Sequence, residues 1–520
     1  MALLAAKRRK LIALAIVSVV AIAGLLLLQH RREAAVWRFL AAIPGTMTAE
    51  KVEAALFSDR VIIHGLRGDF ALFRDIPHAV RCERLILDGL NTDAPETLGT
   101  VKLVDRVQAR GFSVQSTGER SPFFYSAISW ADNDIQGLWL NWKAFSGSLR
   151  YGSEAHIKAL LSFRCGPASM TGAEFSWPER SVSSESGRRS PLPGTVTMTI
   201  GKQQSGPLSL TSFGASRTED VTLHYPGSHR IRARTMHIAE GHNPPSLYRL
   251  WLHDDADESG NASASMRLLR EGYALKGVVA EGVEIALENV PVVMTIPSVH
   301  ASFDMGQKDV SISLQADAIK VPAPALMNPD PANPNPAGLG DLRIRCDLDV
   351  KTRREPDGTV TFSLRQELDE PRLGAARLWI LLTGKEADGP ARILPADTAT
   401  IALKEARLEF KDTGWLDLIF SGLAAGTCRD KEWTGEARAD LQKEARMRRA
   451  EFARILREES AGKDAGLIRI AEDCAQFVEE SGSLEITATA PKAVPLFNLL
   501  SDPRGWYRDA GISSERRPPE

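Results

Sequence analysis

"RVIIHGL" at 60–66, "RLILDGL" at 84–90 and "RVQARGF" at 106–112 are three copies of one phrase. Each reads arginine, apolar, any residue, apolar or small, any residue, glycine, apolar. In an extended strand, successive side chains point to opposite faces. Val61, Ile63 and Gly65 therefore share one face, as do Leu85, Leu87 and Gly89, and again Val107, Ala109 and Gly111. The glycines lie 24 and then 22 residues apart (89 − 65 and 111 − 89). Two strands of about ten residues with their turns fill that interval. The spacing thus predicts that the phrase recurs at the same end of every second strand of an antiparallel meander. Glycine inside a strand marks a bulge or a close backbone approach. A bulge here moves the next residue, Leu66, Leu90 or Phe112, onto the apolar face. "GVVAEGV" at 277–283 is a looser copy built on Gly282, and Gly137 in "DIQGLWL" keeps the spacing without the phrase.

Strand patterning continues beyond the repeats. "DVSISLQADAIKVP" at 309–322 places Val310, Ile312 and Leu314 on one side and Ser311, Ser313 and Gln315 on the other. "DLRIRCDLDVKTRRE" and "TVTFSLRQEL" flank "PDG" at 356–358, a hairpin turn, and "TATIALKEARLEF" at 398–410 alternates again. One apolar and one polar face is the mark of an antiparallel sheet open to water on one side. "SVSSESGRRSPLPG" at 181–194 reads as a polar loop and "MNPDPANPNPAGLGD" at 327–341 as a Pro/Asn linker or a long hairpin tip. Residues 413–480 change period. "GWLDLIFSGLAAG", "ADLQKEARMRRAEFARILREES" and "DAGLIRIAEDCAQFVEESG" read as three helices, and a strand returns at 483–489.

The N-terminus has a different character. "KRRK" at 7–10 precedes "LIALAIVSVVAIAGLLLL" at 11–28, an uncharged run. At about 1.5 Å per residue it nearly spans a hydrocarbon core of about 30 Å. The run ends "LLLLQHRRE", without the small-x-small exit of a cleaved signal peptide. This predicts an uncleaved anchor with a cytoplasmic N-terminus, because the denser positive cluster precedes the span. The expected divisions are a basic segment 1–10, an anchor 11–30, an exported β-rich repeat region 31–326, the linker 327–341, a β-rich region 342–505 interrupted by helices at 413–480, and a tail 506–520. The fold class read from these signals is mainly β: a long twisted antiparallel sheet of repeated strand pairs, with a transmembrane helix before it and a helical excursion near its C-terminus.

Charge is balanced, 64 basic residues against 66 acidic, which removes the electrostatic ground for a nucleic-acid partner. The five cysteines include no C-x-x-C; Cys428 and Cys474 flank one helical region and are the candidate disulfide, with buried free thiols the alternative. No G-x-S-x-G, H-E-x-x-H or phosphate-binding glycine loop occurs. "SAGK" at 460–463 lacks the companion motifs of a serine acyltransferase. "DDADESG" at 254–260 starts like a calcium loop but has Met266 where a bidentate Glu belongs. His224, His229, His237 and His242 lack the spacing of a metal site, and Trp130, Trp139 and Trp142 cluster in sequence. No catalytic residue, metal or cofactor is expected. The candidate apolar ligand face is Val61, Ile63, Leu85, Leu87, Val107 and Trp139.

The anchor, the exported bulk and the recurring strand phrase resemble the AsmA-like envelope proteins of Gram-negative bacteria and the related YdgA-like proteins. The resemblance covers the anchor and about residues 45–145. It implies a long curved sheet whose apolar inner face forms a groove, a single-pass inner-membrane protein with a periplasmic bulk, and a non-enzymatic role in envelope homeostasis that includes lipid handling. The alternatives are a scaffold that binds an envelope protein through the helical excursion and, third, an envelope hydrolase with a dispersed site.

Overall fold

The computed structural model describes residues 27–43, 45–55, 58–73, 76–94, 97, 99–116, 127–142, 161–182, 189–209, 211–242, 274–287, 293–305, 310–322, 340–385, 400–427, 437–496 and 507–519. They are mainly strand, and they form two compact units that divide after Asp220. The segment 327–341, expected as a linker or a long hairpin tip, lies outside the described residues except for its last two, and the strands on either side of it pair with each other, Val321 opposite Leu342. The apolar run 11–28 lies outside the described residues as well, save for Leu27 and Leu28. Among the described residues, no helix is long and apolar enough to cross a membrane.

The first unit opens with helix α1 at 27–41. Its strands are β1 (Gly45–Thr48), β2 (Lys51–Ala54), β3 (Arg60–Phe73), β4 (Ile76–Asp88), β5 (Val101–Ser116), β6 (Ala127–Leu140), β7 (Arg164–Cys165), β8 (Ala168–Val182), β9 (Arg189–Ser205), β10 (Leu208–Ser209) and β11 (Ser212–Phe213). β1 and β2 both pair with β3, and β3 to β6, β8 and β9 follow as an antiparallel meander. Strand β12 (Ser216–Tyr225) straddles the division between the units. The loop expected at 181–194 is shorter than its composition suggested. β8 and β9 extend into it with Ser181 opposite Ser190, because the cross-strand ladder satisfies those polar backbones.

Unit 2 contains β13 (His229–Ile238), β14 (Gly241–His242), β15 (Ala274–Leu287), β16 (Val293–Met305), β17 (Val310–Val321), β18 (Leu342–Arg354), β19 (Thr359–Glu370), β20 (Gly374–Lys385) and β21 (Ala402–Asp412). Then come α2 (Trp415–Thr427), α3 (Ala437–Ser460), α4 (Ala465–Glu480), β22 (Gly482–Pro495) and β23 (Ile512–Arg517). The strands again pair antiparallel in sequence order. Pro-Asp-Gly makes the β18–β19 turn: Asp357 accepts from Thr359 N at 2.9 Å and Gly358 takes φ 79°. The three helices fall in the stretches the sequence predicts, with Asp412 capping α2 and Asp464 capping α4. The expected tail instead yields β23, because Ile512 and Ser514 pair with Ala488 and Ile486 and Ser514 is buried.

The repeated phrase has a different geometry from the one its spacing predicts. Its copies begin on the consecutive strands β3, β4 and β5, which are 14, 13 and 16 residues long, and the second runs past the end of β4 at Gly89 and Leu90, so 22–24 residues cover one strand and a turn. Nor is the glycine a two-against-one bulge. His64 pairs with Arg84 and Leu66 with Cys82, so Gly65 faces Glu83 and the register does not change. Glu83 also faces Gly111 on β5, Gly111 faces Ala131 on β6, and Ala131 faces Gly172 on β8. Gly65, Gly111 and Gly172 have φ of 58°, 59° and 58°. Every strand of this row reverses its alternation at the same level. Val61 and Ile63 before the row and Leu66 beyond it fill one buried cluster, with Leu85, Leu87 and Cys82, and with Val107, Ala109 and Phe112. Gly89, Asp105 and Gly137 form a second row. In unit 2, Gly282 faces Pro297, whose missing N–H is tolerated where the ladder is already interrupted.

Candidate functional site

Of the six residues expected to line an apolar ligand face, five share a side of the sheet and do not form an open surface. Val61, Ile63 and Leu87 are buried, and Leu85 and Val107 pack against them. Val36, Phe39 and Leu40 of α1 fill the same cluster. Trp139 is the correction: it lies on the opposite face, between the inward-facing Leu138 and Leu140, with the Lys102 ammonium 5.3 Å from its ring centre. The in-register shift of alternation at Gly137 puts it there. The other two tryptophans do face inward. Trp130 stacks on Phe112 at 4.4 Å, and Trp142 meets Phe39 at 4.7 Å.

The phrase arginines belong to the polar face. Arg60 grips Asp88 through two hydrogen bonds of 2.7 and 3.1 Å, and Arg106 holds Asp134 in the same bidentate way. Each pair holds its carboxyl below the usual carboxylate range. Arg84 faces His64 and Arg110 instead of an acid. The phrase therefore supplies a cross-strand charge ladder on one side and a packed core on the other.

In unit 2 lies an apolar surface over whose middle no helix of the described residues packs. Reading across the register, Phe303, Ile312, Val350, Leu364, Ile380 and Ala406 stand in one row over six strands. Ala301, Leu314, Leu348, Gln366, Leu378 and Leu408 stand in the next. Ile312, Leu314, Leu348, Val350, Leu364 and Leu378 are all half-buried and belong to none of the buried clusters, and Leu408 is exposed. The reverse face carries ion pairs two residues apart along single strands: Arg345–Asp347, Lys351–Asp349, Arg365–Glu367 and Arg407–Glu409. The alternation predicted for 309–322 and 341–368 thus makes a strongly two-sided sheet.

The helices cover only the ends of this apolar side. α2, α3 and α4 pack on Phe410, Leu484 and Ile486, while Trp415 and Leu418 of α2 pack near Leu342 and Ile344. Their outer surfaces leave Ile419, Leu423, Met447, Phe452 and Ile455 exposed. Arg457 joins α3 to α4 through Glu472 at 2.9 Å and Glu479 at 2.8 Å.

The remaining candidates from the sequence do not come together as a reactive site. Ser460 donates to the Arg457 carbonyl at 2.9 Å, the ordinary closure of a helix end. His229 stacks on Tyr225, and its Nδ1 lies 2.8 Å from Ser228 Oγ. Among the described residues, no three His, Cys, Asp or Glu side chains are grouped to hold a metal. Residues 254–260 and Cys428 lie outside the described residues. Cys474 is a free thiol whose pKa is pushed up by burial. No protein-family model matches the chain, and no curated protein matches it.

Proposed function

We propose that this chain is a non-enzymatic, membrane-anchored envelope protein of AsmA-like type that binds acyl chains along the apolar face of unit 2. One observation carries the reading: two adjacent transverse rows of half-buried aliphatic side chains, with a charged face behind them and no described helix over their middle. Six strands at a spacing of about 4.8 Å make a strip about 24 Å long. That exceeds the length of one acyl layer, half of a hydrocarbon core of about 30 Å. The apolar run at 11–28 supplies the anchor in this reading, with the bulk in the periplasm.

The test is lipid extraction and native mass spectrometry of the full chain, purified in mild detergent, beside Val350→Asp/Leu364→Asp. The expected result is co-purifying lipid with the wild type and none with the double variant. A wild type that carries no lipid overturns the reading. A second reading rests on its own observation. The exposed Ile419, Leu423, Met447, Phe452 and Ile455 suit a scaffold that docks another envelope protein through α2 and α3. It predicts that Phe452→Glu abolishes partner capture while lipid content is unchanged.

A further inference from the structure

A cavity of about 430 Å³ lies in unit 2 where the β19–β20 corner meets α2 and α3. Its floor is apolar: Leu373, Leu418, Phe420 and Leu441 are all buried. Its rim is cationic, with Arg372, Arg446 and Arg449. The volume falls within the range of small-molecule pockets, about 300–1,000 Å³, and an apolar floor with a few convergent polar groups is their usual composition.

The three arginines are not equivalent. Arg449 is a fixed wall: its guanidinium donates to the Val478 carbonyl, to Ser481 Oγ at 2.5 Å and to Asp417 at 2.7 Å. Its side chain is 13% exposed, whereas that of Asp417 is 79% exposed and so shields it weakly. Arg372 is tied to the buried Glu370 at 3.0 and 3.1 Å and to the Asp341 carbonyl. Arg446 lies one turn before Arg449 on α3, and Gln442 one turn before Arg446, which places all three on one stripe of the helix. Arg446 has no hydrogen-bond or ion-pair partner among the described residues. Glu370 and Asp417 take up Arg372 and Arg449, whereas Arg446 has no such partner among the described residues and stands beside the apolar floor.

We infer that this cavity binds the anionic headgroup of an amphiphile, a phosphate-type oxyanion held by Arg446 and Arg449 with its apolar part on Leu373 and Leu418. The inference rests on the acyl-chain reading above for the origin of its ligand. Leu373 and Leu418 also pack in the same cluster as Leu342 and Ile344, which begin the inward-facing file of β18 that continues through Leu348 and Val350. Headgroup cavity and acyl strip are therefore built on one face of one sheet.

Three soluble probes test this by isothermal calorimetry on the full chain: inorganic phosphate, dihexanoyl phosphatidylglycerol and dihexanoyl phosphatidylcholine, the lipids below their micelle concentrations. The variants are Arg446→Gln and, as a control on the same helix, Arg454→Gln, whose partner Glu458 is 2.6 Å away. Loss of one charge-assisted contact weakens binding by about tenfold or more. The expected pattern is tighter binding of the phosphatidylglycerol than of the phosphatidylcholine, a preference lost in Arg446→Gln and kept in Arg454→Gln. Inorganic phosphate binding without either lipid, lost in Arg446→Gln, assigns the cavity to free phosphate and overturns the amphiphile. Equal binding of both lipids that Arg446→Gln leaves unchanged overturns the cavity but not the acyl strip. No binding of any probe by the wild type overturns the cavity, and the acyl strip then stands or falls on lipid extraction.

Discussion

The β3–β6 region of unit 1 and the β16–β20 region of unit 2 are written in the same alternating pattern but finished differently. In the first, α1 brings Val36, Phe39 and Leu40 onto Val61, Ile63 and Leu87, and Ile63 is completely buried. In the second, Val350 and Leu364 hold equivalent inward positions and stay half-buried. Alternation thus decides which face is apolar, while a separate element decides whether that face becomes core or surface. The most direct way to break this comparison is to delete side-chain volume on each face. Ile63→Ala should cost about 3–4 kcal/mol, because a filled core can relax only partly around a cavity. Chemical denaturation monitored by circular dichroism measures it, and a cost below about 1 kcal/mol would place Ile63 on an open surface.

The glycine rows set the next test, because they let one apolar face persist while strand alternation reverses. Gly111 has φ of 59°, and an added Cβ would lie 2.5 Å from the Glu83 Cδ. Gly111→Ala should therefore destabilise by about 1–2 kcal/mol, the cost of a left-handed backbone for a residue with a Cβ. Gly277, in β15, has open space where a Cβ would go and no left-handed φ, so Gly277→Ala should be neutral or stabilising by up to about 1 kcal/mol. Equal thermal unfolding midpoints for the two variants would show that the row imposes no backbone constraint.

Much of this was legible in the sequence, and the residues show where legibility ended. Strand character, the helical excursion and the Pro-Asp-Gly hairpin all follow from local period and turn chemistry. The glycine phrase correctly marks a reversal of facing, since Leu66, Leu90 and Phe112 do pack with the residues that precede each glycine. Its matched arrangement across strands was hidden, because register depends on partners remote in sequence. Trp139 was misplaced for that reason: β6 reverses twice, at Ala131 and at Gly137, and neither its apolar character nor its nearness to Trp130 and Trp142 tells which face it takes. The cover over Val61 and Ile63 was hidden too, since nothing in "EAAVWRFLAAI" says which strands α1 meets. The half-open rows of unit 2 and the cavity beside Arg446 are tertiary features with no local signature.

Leu364→Ala sharpens the comparison from the other side. A half-buried residue that belongs to no buried cluster among the described residues loses little packing, so the cost should be about 1 kcal/mol or less, against the larger loss at Ile63. Co-purified lipid should raise that cost, because a bound acyl chain then supplies the missing neighbours. Measuring the variant before and after delipidation separates the two cases; an unchanged cost leaves the face without an occupant.

The smallest effect concerns how each cover is fastened. α1 holds its strands through apolar contact and through Arg32, which pairs with the exposed Asp59 at 3.2 Å, whereas α3 and α4 are tied by Arg457 to two acids, Glu472 and Glu479. Hydrogen bonds from Arg457 hold both carboxyls below the ordinary value of 4.5. A carboxyl depressed in the folded state stabilises it at any pH above its unfolded value, and that contribution fades as pH falls through the folded value. Acid should therefore loosen α3–α4 more than α1, whose one ion pair to its strands is exposed and whose remaining contacts are apolar, beginning as pH drops below 4.5. About a third or more of each partner is exposed, so solvent screening limits the pair to less than about 1 kcal/mol. Hydrogen exchange at pH 6 and pH 3.5, corrected for intrinsic rates, should show protection falling in α3 and α4 before it falls in α1. Arg457→Gln should remove that difference at both pH values. If α1 loosens first, the apolar cover is the weaker fastening, and the contrast between the two faces lies in their strands, not in what lies over them.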